Sequence, residues 1–274
     1  MGNGAVPPLD IRTSGDQLFL MSASPSHDTS STNPRRFIEV TKTLLYGLLI
    51  AVVIRSFAAE AFEIPSGSMV PTLDVGDFLI VSKFSYGYSA YSLPVGLPLF
   101  TGRVFGHAPR RGDVVVFKWP RDTSVNFVKR VIGLPGDRIQ VLHGLLYVNG
   151  VPVERKRLDD VAFRAGAFTL HAAQYIETLP NGPSYRVLQF ADDGPLDNTQ
   201  VFVVPADHYF MMGDNRDDSA DSRDPGSGVG FVPAQNLIGP AEFKLFSINL
   251  VHPAWQFWYW PFEIRYSQLF ERIS

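Results

Sequence analysis

Two serines in a short loop-forming segment are the first residues in this chain that could carry out chemistry. Residues 65–72 (PSGSMVPT) place Ser66 and Ser68 between two prolines, in a composition typical of turns. The chain has no cysteine, so a catalytic thiolate is excluded and a serine hydroxyl is an available nucleophile. Such a hydroxyl needs a neighbouring base. The six histidines stand in unrelated contexts, whereas a buried lysine could serve, because desolvation lowers the pKa of an amine.

Lys129 is the candidate base. It lies in the β-like run 127–132 (FVKRVI), where alternation puts Lys129 and Arg130 on opposite faces, each otherwise apolar. An amine can be buried in its neutral form, but a guanidinium stays charged. This difference predicts Lys129 inside the protein and Arg130 in solvent. Taken alone, however, a lysine in a strand is more often simply solvated.

A metal site is not predicted. The chain contains no H-E-x-x-H, P-loop, G-x-S-x-G or Ser-x-x-Lys pattern. Residues 214–224 (DNRDDSADSRD) hold five aspartates, but a calcium loop starting at Asp217 would need glycine where Ser222 stands. We interpret this segment as a solvated acidic loop.

An apolar segment precedes the two serines. Residues 43–54 are uncharged, and extending them to 40–59 gives 20 residues, which as a helix reach about 30 Å and cross a hydrocarbon core. We predict a transmembrane anchor over 37–61, preceded by a disordered cytoplasmic tail over 1–36. A buried core helix is the weaker interpretation, because the rest of the chain offers no partner helix.

Basic residues set the predicted orientation of this segment. Arg35, Arg36 and Lys42 come before its apolar centre and Arg55 follows, a bias that places the N-terminus in the cytoplasm and the remainder outside. Residues 59–61 (AEA) also fit the small-x-small rule of a cleavable export signal. The residues alone leave a cleaved signal and an uncleaved anchor open, and both would export the C-terminal part.

Composition and strand patterns predict a mostly β protein. Hydrophobic residues make up 45% of the chain and the formal net charge is −3, so general disorder and nucleic-acid binding are both disfavoured. β-branched and aromatic runs bounded by Gly, Pro or Asp occur at 78–82, 113–117, 126–132, 138–142, 145–148, 185–190, 200–204, 208–212 and 238–246. Strand signals are weak over 158–184. Six aromatic residues within 255–262 (WQFWYWPF) lie either at a membrane–water interface or over one end of the β structure.

Four segments, in this order along the chain, resemble those of bacterial type I signal peptidases. They are 64–73 (IPSGSMVPTL), 111–117 (RGDVVVF), 129–137 (KRVIGLPGD) and 213–223 (GDNRDDSADSR). Any one of them would be a weak signal, but four in the family's order and spacing are specific. The chain is therefore similar to a family of membrane-bound Ser–Lys endopeptidases that remove signal peptides.

This resemblance implies roles for individual residues. Ser68 matches the nucleophile and Lys129 the general base. The hydroxyl of Ser66 and the backbone N–H of Ser68 match the oxyanion hole, and Ser219 matches the serine that orients the lysine. Asp221 and Arg223 match a supporting ion pair.

Four apolar residues adjoin these positions in the sequence and are candidates for the substrate pockets. They are Ile64, Met69, Phe127 and Val128. We expect these pockets to admit only small side chains and the substrate to bind as an added strand.

The resemblance also implies an architecture and a location. We expect an antiparallel β catalytic domain over 62–139 and 208–250, an inserted β domain over 140–207, and an aromatic tail over 251–274 for which an interfacial location is one of the two interpretations. The expected partners are preprotein signal peptides and membrane lipid, with no nucleic acid and no metal or cofactor. The expected location is the bacterial inner membrane, with one span and the catalytic domain on the outer, periplasmic side.

Two other functions stay open at this point. One is a related Ser–Lys peptidase, such as a conjugation-type processing protease or a self-cleaving repressor, although no DNA-binding helix pair precedes the catalytic segments. The other is a membrane-tethered β domain that binds exported proteins without cutting them.

Overall fold

A computed structural model describes residues 34–92, 102–165, 168–191, 193–248 and 256–273. The predicted disordered tail therefore lies outside the described residues up to position 33. The chain divides into two compact units, Met1–Tyr46 and Gly47–Ser274.

The predicted apolar helix is present. Helix α1 covers Pro34–Phe57 and begins with a proline, which is well suited to a first turn. Its stretch Arg35–Ile54 has a mean hydropathy of 2.0 and is long and apolar enough to cross a membrane. None of this stretch is buried by the rest of the protein, so a buried core helix does not fit. The helix ends before residues 59–61, which belong to the first strand.

The rest of the described chain is mostly β, as predicted. In chain order the strands are β1 (Ala59–Glu63), β2 (Asp77–Ser82), β3 (Tyr88–Ser89), β4 (Arg103–Val104), β5 (Val114–Lys118), β6 (Asn126–Gly133), β7 (Arg138–Leu142), β8 (Leu145–Val148), β9 (Val151–Pro152), β10 (Glu154–Arg157), β11 (Val161–Ala165), β12 (Phe168–Thr178), β13 (Ser184–Gln189), β14 (Phe202–Val203), β15 (His208–Met212), β16 (Phe231–Pro233), β17 (Leu237–Ser247) and β18 (Glu271–Arg272). Short helical turns are Ala90–Ser92, Ala234–Asn236, Phe257–Tyr259, α2 (Trp260–Glu263) and Tyr266–Gln268.

A large antiparallel sheet carries the candidate residues. Its strand order is β1-β2-β17-β5-β6-β15-β16, with β18 added beside β17. Strand β6, which holds Lys129 and Arg130, is central in this order: Lys129 pairs with Val115 of β5 and Arg130 with Met212 of β15. A central strand is held on both edges, so its side chains have well-defined directions.

Both faces of this sheet are covered at β5. Val114 and Val116 pack in one cluster with Met69, while Val115 and Phe117 pack in another on the opposite side. A strand covered on both faces is apolar at successive positions rather than alternating. The consecutive apolar residues of β5, from Val114 to Phe117, follow from this arrangement.

Two smaller sheets lie in the part of the chain between β6 and β15. One has the order β14-β7-β8-β9, and the other joins β10, β12 and β11, with β13 also paired to β12. Ile139 and Val187 from these sheets share a buried cluster with Ile132 and Phe210 of the large sheet. The inserted β domain at 140–207 stays a prediction, and this common core ties that segment to the large sheet.

The weak strand signal over 158–184 is misleading. Strands β11 and β12 form there, and β12 is 11 residues long. It pairs with β10, β11 and β13, so the partners supply the hydrogen bonds that stabilise it. Of the aromatic C-terminal segment, 251–255 lies outside the described residues, and Trp258 and Phe262 are exposed.

Candidate active site

Ser68 and Lys129 meet in the folded chain. The Lys129 Nζ atom lies 2.6 Å from the Ser68 Oγ atom, although 61 residues separate them in sequence. The lysine is 2% exposed and the serine 9% exposed. The amine also donates to the Val128 carbonyl oxygen at 3.1 Å and lies 5.5 Å from the centre of the Phe127 ring. A hydroxyl and an amine are therefore in hydrogen-bond contact and largely shielded from solvent.

Burial changes the proton affinity of the amine. Desolvation lowers the pKa of Lys129 from 10.5 to about 8, and the nearby Arg223 acts in the same direction. The carboxylates of Asp221, Asp214 and Asp218 oppose this shift but do not cancel it. At pH 7 about a tenth of the amine is thus unprotonated, far more than for an ordinary lysine, and this neutral form is the one that a general base requires.

The segment that carries Ser68 is held rigidly. The Val70 N–H donates to the Gly67 carbonyl oxygen at 3.1 Å, and the Leu73 N–H donates to the Met69 carbonyl oxygen at 2.9 Å. Met69 and Leu73 are almost completely buried and pack in a core cluster of the large sheet. Burial of these two side chains fixes the backbone just after the serine.

Gly213 allows three parts of the site to approach one another. A Cβ atom at this position would lie 2.3 Å from the Ser219 Oγ and 2.5 Å from the Ser68 carbonyl oxygen. Glycine is therefore required by close packing. The Ser219 hydroxyl is buried and makes no hydrogen bond to any described atom. Its role in orienting the lysine stays a prediction.

Asp221 and Arg223 form a buried pair. The Arg223 guanidinium donates to the two Asp221 carboxylate oxygens at 3.0 and 2.8 Å. The Gly213 N–H donates to Asp221 as well, at 3.1 Å. Burial opposes ionisation, but these partners hold the pKa of Asp221 below its ordinary value. The interpretation of this segment as a solvated acidic loop is wrong, because both Asp221 and Asp214 are buried and paired.

The prediction that Arg130 faces solvent is also wrong. Arg130 is fully buried and donates to the two Asp214 carboxylate oxygens at 2.9 and 2.8 Å. A third donation, at 2.7 Å, reaches the Gly112 carbonyl oxygen, and the guanidinium lies 4.1 Å from the Tyr185 ring centre. Burial alone would lower the pKa of Arg130, but Asp214 raises it above its ordinary value. A charged guanidinium can be buried when its donors are satisfied in this way.

A third buried ion pair involves the same segment, 213–223. Arg216 donates to the two Glu177 carboxylate oxygens at 3.0 and 2.5 Å and to the Tyr185 hydroxyl at 3.1 Å. Thr72 donates to Asp214 at 2.5 Å and thereby connects the serine loop to the Arg130–Asp214 pair. Reasoning from the sequence missed all of these residues. Asp214 and Arg216 stand in a recognised segment, but Glu177 lies where the strand signal is weak.

The other predicted residues adjoin Ser68 or Lys129 in the sequence and differ in burial. Ile64 and Met69 are buried, and Val128 packs partly buried against the cluster that contains them. Phe127 is partly buried on the opposite face of the sheet. Ser66 is exposed, two residues before the nucleophile. The pocket and oxyanion-hole roles of these residues stay predictions.

Comparison with known proteins identifies the family. A family model described as signal peptidase, peptidase S26, matches residues 37–246. The chain belongs to this family. The resemblance inferred from the four segments is thereby confirmed, and the protein is a serine peptidase of the signal peptidase I type.

Two relatives with similar sequences agree with this assignment. A signal peptidase I of Rickettsia canadensis (strain McKiel) is 40% identical over 231 residues, covering 81% of this chain and 85% of the relative. One from Rickettsia typhi (strain ATCC VR-144 / Wilmington) is 38% identical over 262 residues, covering 89% and 96%. A crystal structure of a signal peptidase I from Enterococcus faecalis V583 matches with 26% identity and a TM-score of 0.29, covering 49% of this chain and 97% of that one.

Proposed function

We propose that this protein is a membrane-bound serine endopeptidase that cleaves signal peptides from exported preproteins after small residues, as in A-x-A-like sites. Ser68 is the nucleophile and Lys129 is the general base. The observation that carries this proposal is the 2.6 Å contact between the Ser68 hydroxyl and a buried amine whose pKa is lowered to about 8.

The first step is acylation of Ser68. The unprotonated Lys129 amine takes the hydroxyl proton as the Ser68 Oγ attacks the carbonyl carbon of the scissile bond. The oxyanion that forms accepts hydrogen bonds from the Ser68 N–H and the Ser66 hydroxyl, each contributing a few kcal/mol. The C–N bond then breaks, and the Lys129 ammonium gives its proton to the leaving amine.

The second step is hydrolysis of the acyl-enzyme. Lys129, again neutral, takes a proton from water as the water oxygen attacks the ester carbon. The C–Oγ bond breaks, and the proton returns from Lys129 to Ser68. The freed signal peptide carries the new carboxylate. Ser219 orients the lysine through both steps, and the Asp221–Arg223 pair holds the loop that bears Ser219.

Substrate selection follows from the apolar surroundings of the dyad. Ile64, Met69 and Val128 contribute to one packed cluster beside Ser68, and Phe127 lies near the amine. Apolar side chains close to Ser68 and to the amine favour substrates with small apolar side chains such as alanine at the cleavage site. The preprotein segment binds as an extended strand, with its backbone supplying the hydrogen bonds.

Helix α1 anchors the enzyme where signal peptides emerge. Its apolar stretch Arg35–Ile54 spans the bacterial inner membrane once, with the N-terminus in the cytoplasm and the catalytic part on the periplasmic side. The basic residues before the apolar centre support this orientation. Membrane lipid is therefore a partner of the protein, together with the preprotein.

The anchor is uncleaved. Residues 59–61, which fit the rule for a cleavable signal, lie in β1 and pair with β2 from Ala59–Ser82 to Ala61–Ile80. An extended substrate must lie along the active site, and pairing within a sheet opposes that. N-terminal sequencing of the protein purified from membranes should give the residues preceding α1. A new N-terminus at Phe62 would contradict this part of the proposal.

Cleavage of a purified preprotein in detergent tests the main proposal. Lys129→Arg should abolish cleavage, because a guanidinium cannot act as the base. Ser68→Ala should be inactive, while Ser66→Ala should be weakened only. EDTA should have no effect. An inactive Ser66→Ala together with an active Ser68→Ala would show that Ser66 and not Ser68 is the nucleophile. A wild-type protein that binds the preprotein without cleaving it would favour a non-catalytic, membrane-tethered β domain.

A further inference from the structure

Asn215 makes two hydrogen bonds to the loop that carries Ser68. Its backbone N–H donates to the Ser68 carbonyl oxygen at 3.1 Å. Its side-chain Nδ2 donates to the Gly67 carbonyl oxygen, also at 3.1 Å. The residue is 5% exposed. The two carbonyls belong to the two peptide units on either side of the nucleophile.

Holding the Gly67 carbonyl also sets the direction of the Ser68 N–H. The two groups belong to one planar trans peptide unit, so they point in opposite directions. The Ser68 N–H is the backbone donor of the oxyanion hole in the proposed function. A donor of this kind works only when it points at the position that the developing charge will occupy.

Asn215 is itself held by the neighbouring β13 strand. Leu188 forms a parallel bridge with Asn215. The Leu188 N–H donates to the Asp214 carbonyl oxygen, and the Arg216 N–H donates to the Leu188 carbonyl oxygen, each at 2.9 Å. The backbone on both sides of Asn215 is therefore fixed. Its side-chain amide therefore donates to the Gly67 carbonyl oxygen from a fixed position.

A purely structural role for the amide fits the contacts less well. The Gly67 carbonyl oxygen also accepts from the Val70 N–H at 3.1 Å, so it keeps a hydrogen bond when the amide is removed. The Asn215 Oδ1 atom is buried without a hydrogen-bond partner among the described residues, which is a cost to stability. A side chain kept only for stability would not be expected to carry that cost.

We propose that Asn215 is a positioning residue that aims the Ser68 N–H at the oxyanion. The inference rests on the proposed roles of Ser68 and its N–H. Because the amide acts on the transition state through the backbone, its loss should lower kcat and leave KM nearly unchanged.

Asn215→Ala and Asn236→Ala make a matched comparison in the preprotein cleavage assay. Asn236 is 3% exposed, and its Nδ2 donates to the Lys118 carbonyl oxygen at 3.0 Å, so it has the same residue type, burial and kind of contact. Asn215→Ala should lower kcat by about 10- to 100-fold with KM within about twofold. Asn236→Ala should leave kcat unchanged, even where its thermal midpoint falls.

A second variant keeps the test decisive if Asn215→Ala fails to fold. Asn215→Asp preserves the shape and removes the donor, and it should show the same loss of kcat at alkaline pH, where the Lys129 amine is unprotonated. Wild-type kcat in either folded variant, or an equal loss of kcat in Asn236→Ala, would overturn the inference. Ser68→Ala, assayed in parallel, distinguishes the proposed peptidase function from the proposed role of Asn215. If Ser68→Ala retains activity, the proposed function fails. If Ser68→Ala is inactive and an Asn215 variant is fully active, only the role of Asn215 is refuted.

Discussion

Replacing Lys129 with methionine should stabilise the protein at neutral pH, because the wild type buries a charge there. Desolvation lowers the pKa of Lys129 from 10.5 to about 8. At about 1.4 kcal/mol for each pH unit, this difference corresponds to about 3 kcal/mol of penalty in the folded state. Methionine keeps the length of the side chain and removes the charge. Loss of the hydrogen bond to Ser68 offsets about 1 kcal/mol, which leaves a net gain of about 2 kcal/mol.

The sign of the pH dependence follows from proton binding. Below pH 8 the amine is charged in both the folded and the unfolded chain, so the wild type carries the full penalty. Between pH 8 and 10.5 the folded chain releases the proton while the unfolded chain keeps it, so the wild-type free energy of unfolding rises with pH. Above 10.5 the penalty is gone. The advantage of Lys129→Met should therefore be largest below pH 8 and disappear by pH 10.5.

Urea unfolding of the full chain in detergent micelles, followed at several pH values, measures this difference. Lys156→Met is the control, because Lys156 is exposed on β10 and its replacement should change the free energy of unfolding by about 0.5 kcal/mol or less at every pH. A Lys129→Met variant less stable than the wild type at neutral pH would refute the burial of a charged amine. A difference in the free energy of unfolding that does not change with pH would refute a lowered pKa of Lys129.

Two further predictions concern the surroundings of the dyad. Asp218→Asn removes a carboxylate that raises the pKa of Lys129, so the rising limb of kcat/KM against pH should move to lower pH. The value of kcat/KM at neutral pH should then increase by about twofold. Asp159→Asn is the control: Asp159 is exposed and does not act on the amine, so this variant should leave the pH profile in place. Glu177→Gln leaves the buried Arg216 guanidinium without its carboxylate and should lower the free energy of unfolding by about 3–5 kcal/mol in urea titrations. Glu154→Gln, at an exposed position, should change it little. Equal losses in the two variants would show that burial of the ion pair does not matter.

Local patterns were sufficient for the apolar helix and for nine of the 18 strands in the described residues. An unbroken apolar run has the same consequence wherever it occurs, so α1 could be placed from the sequence to within a few residues at each end. Runs such as 113–117 and 138–142 are β-branched and bounded by turn residues, and they form β5 and β7. Strand β12 could not be found in this way, since pairing with three neighbouring strands stabilises it rather than its own residues.

The sequence by itself determined which chemistry was available: hydroxyl and amine groups without cysteine, four segments typical of one peptidase family, and an apolar helix before them. Tertiary structure decided which of these groups meet. Alternation along β6 is symmetric between Lys129 and Arg130, so it could not show that both are buried. Arg130 is buried with its charge because Asp214 lies beside it, 84 residues further along the chain. Lys129 has a lowered pKa because residues distant in sequence exclude water from it. Burial and charge pairing depend on such long-range contacts, and no local pattern contains them.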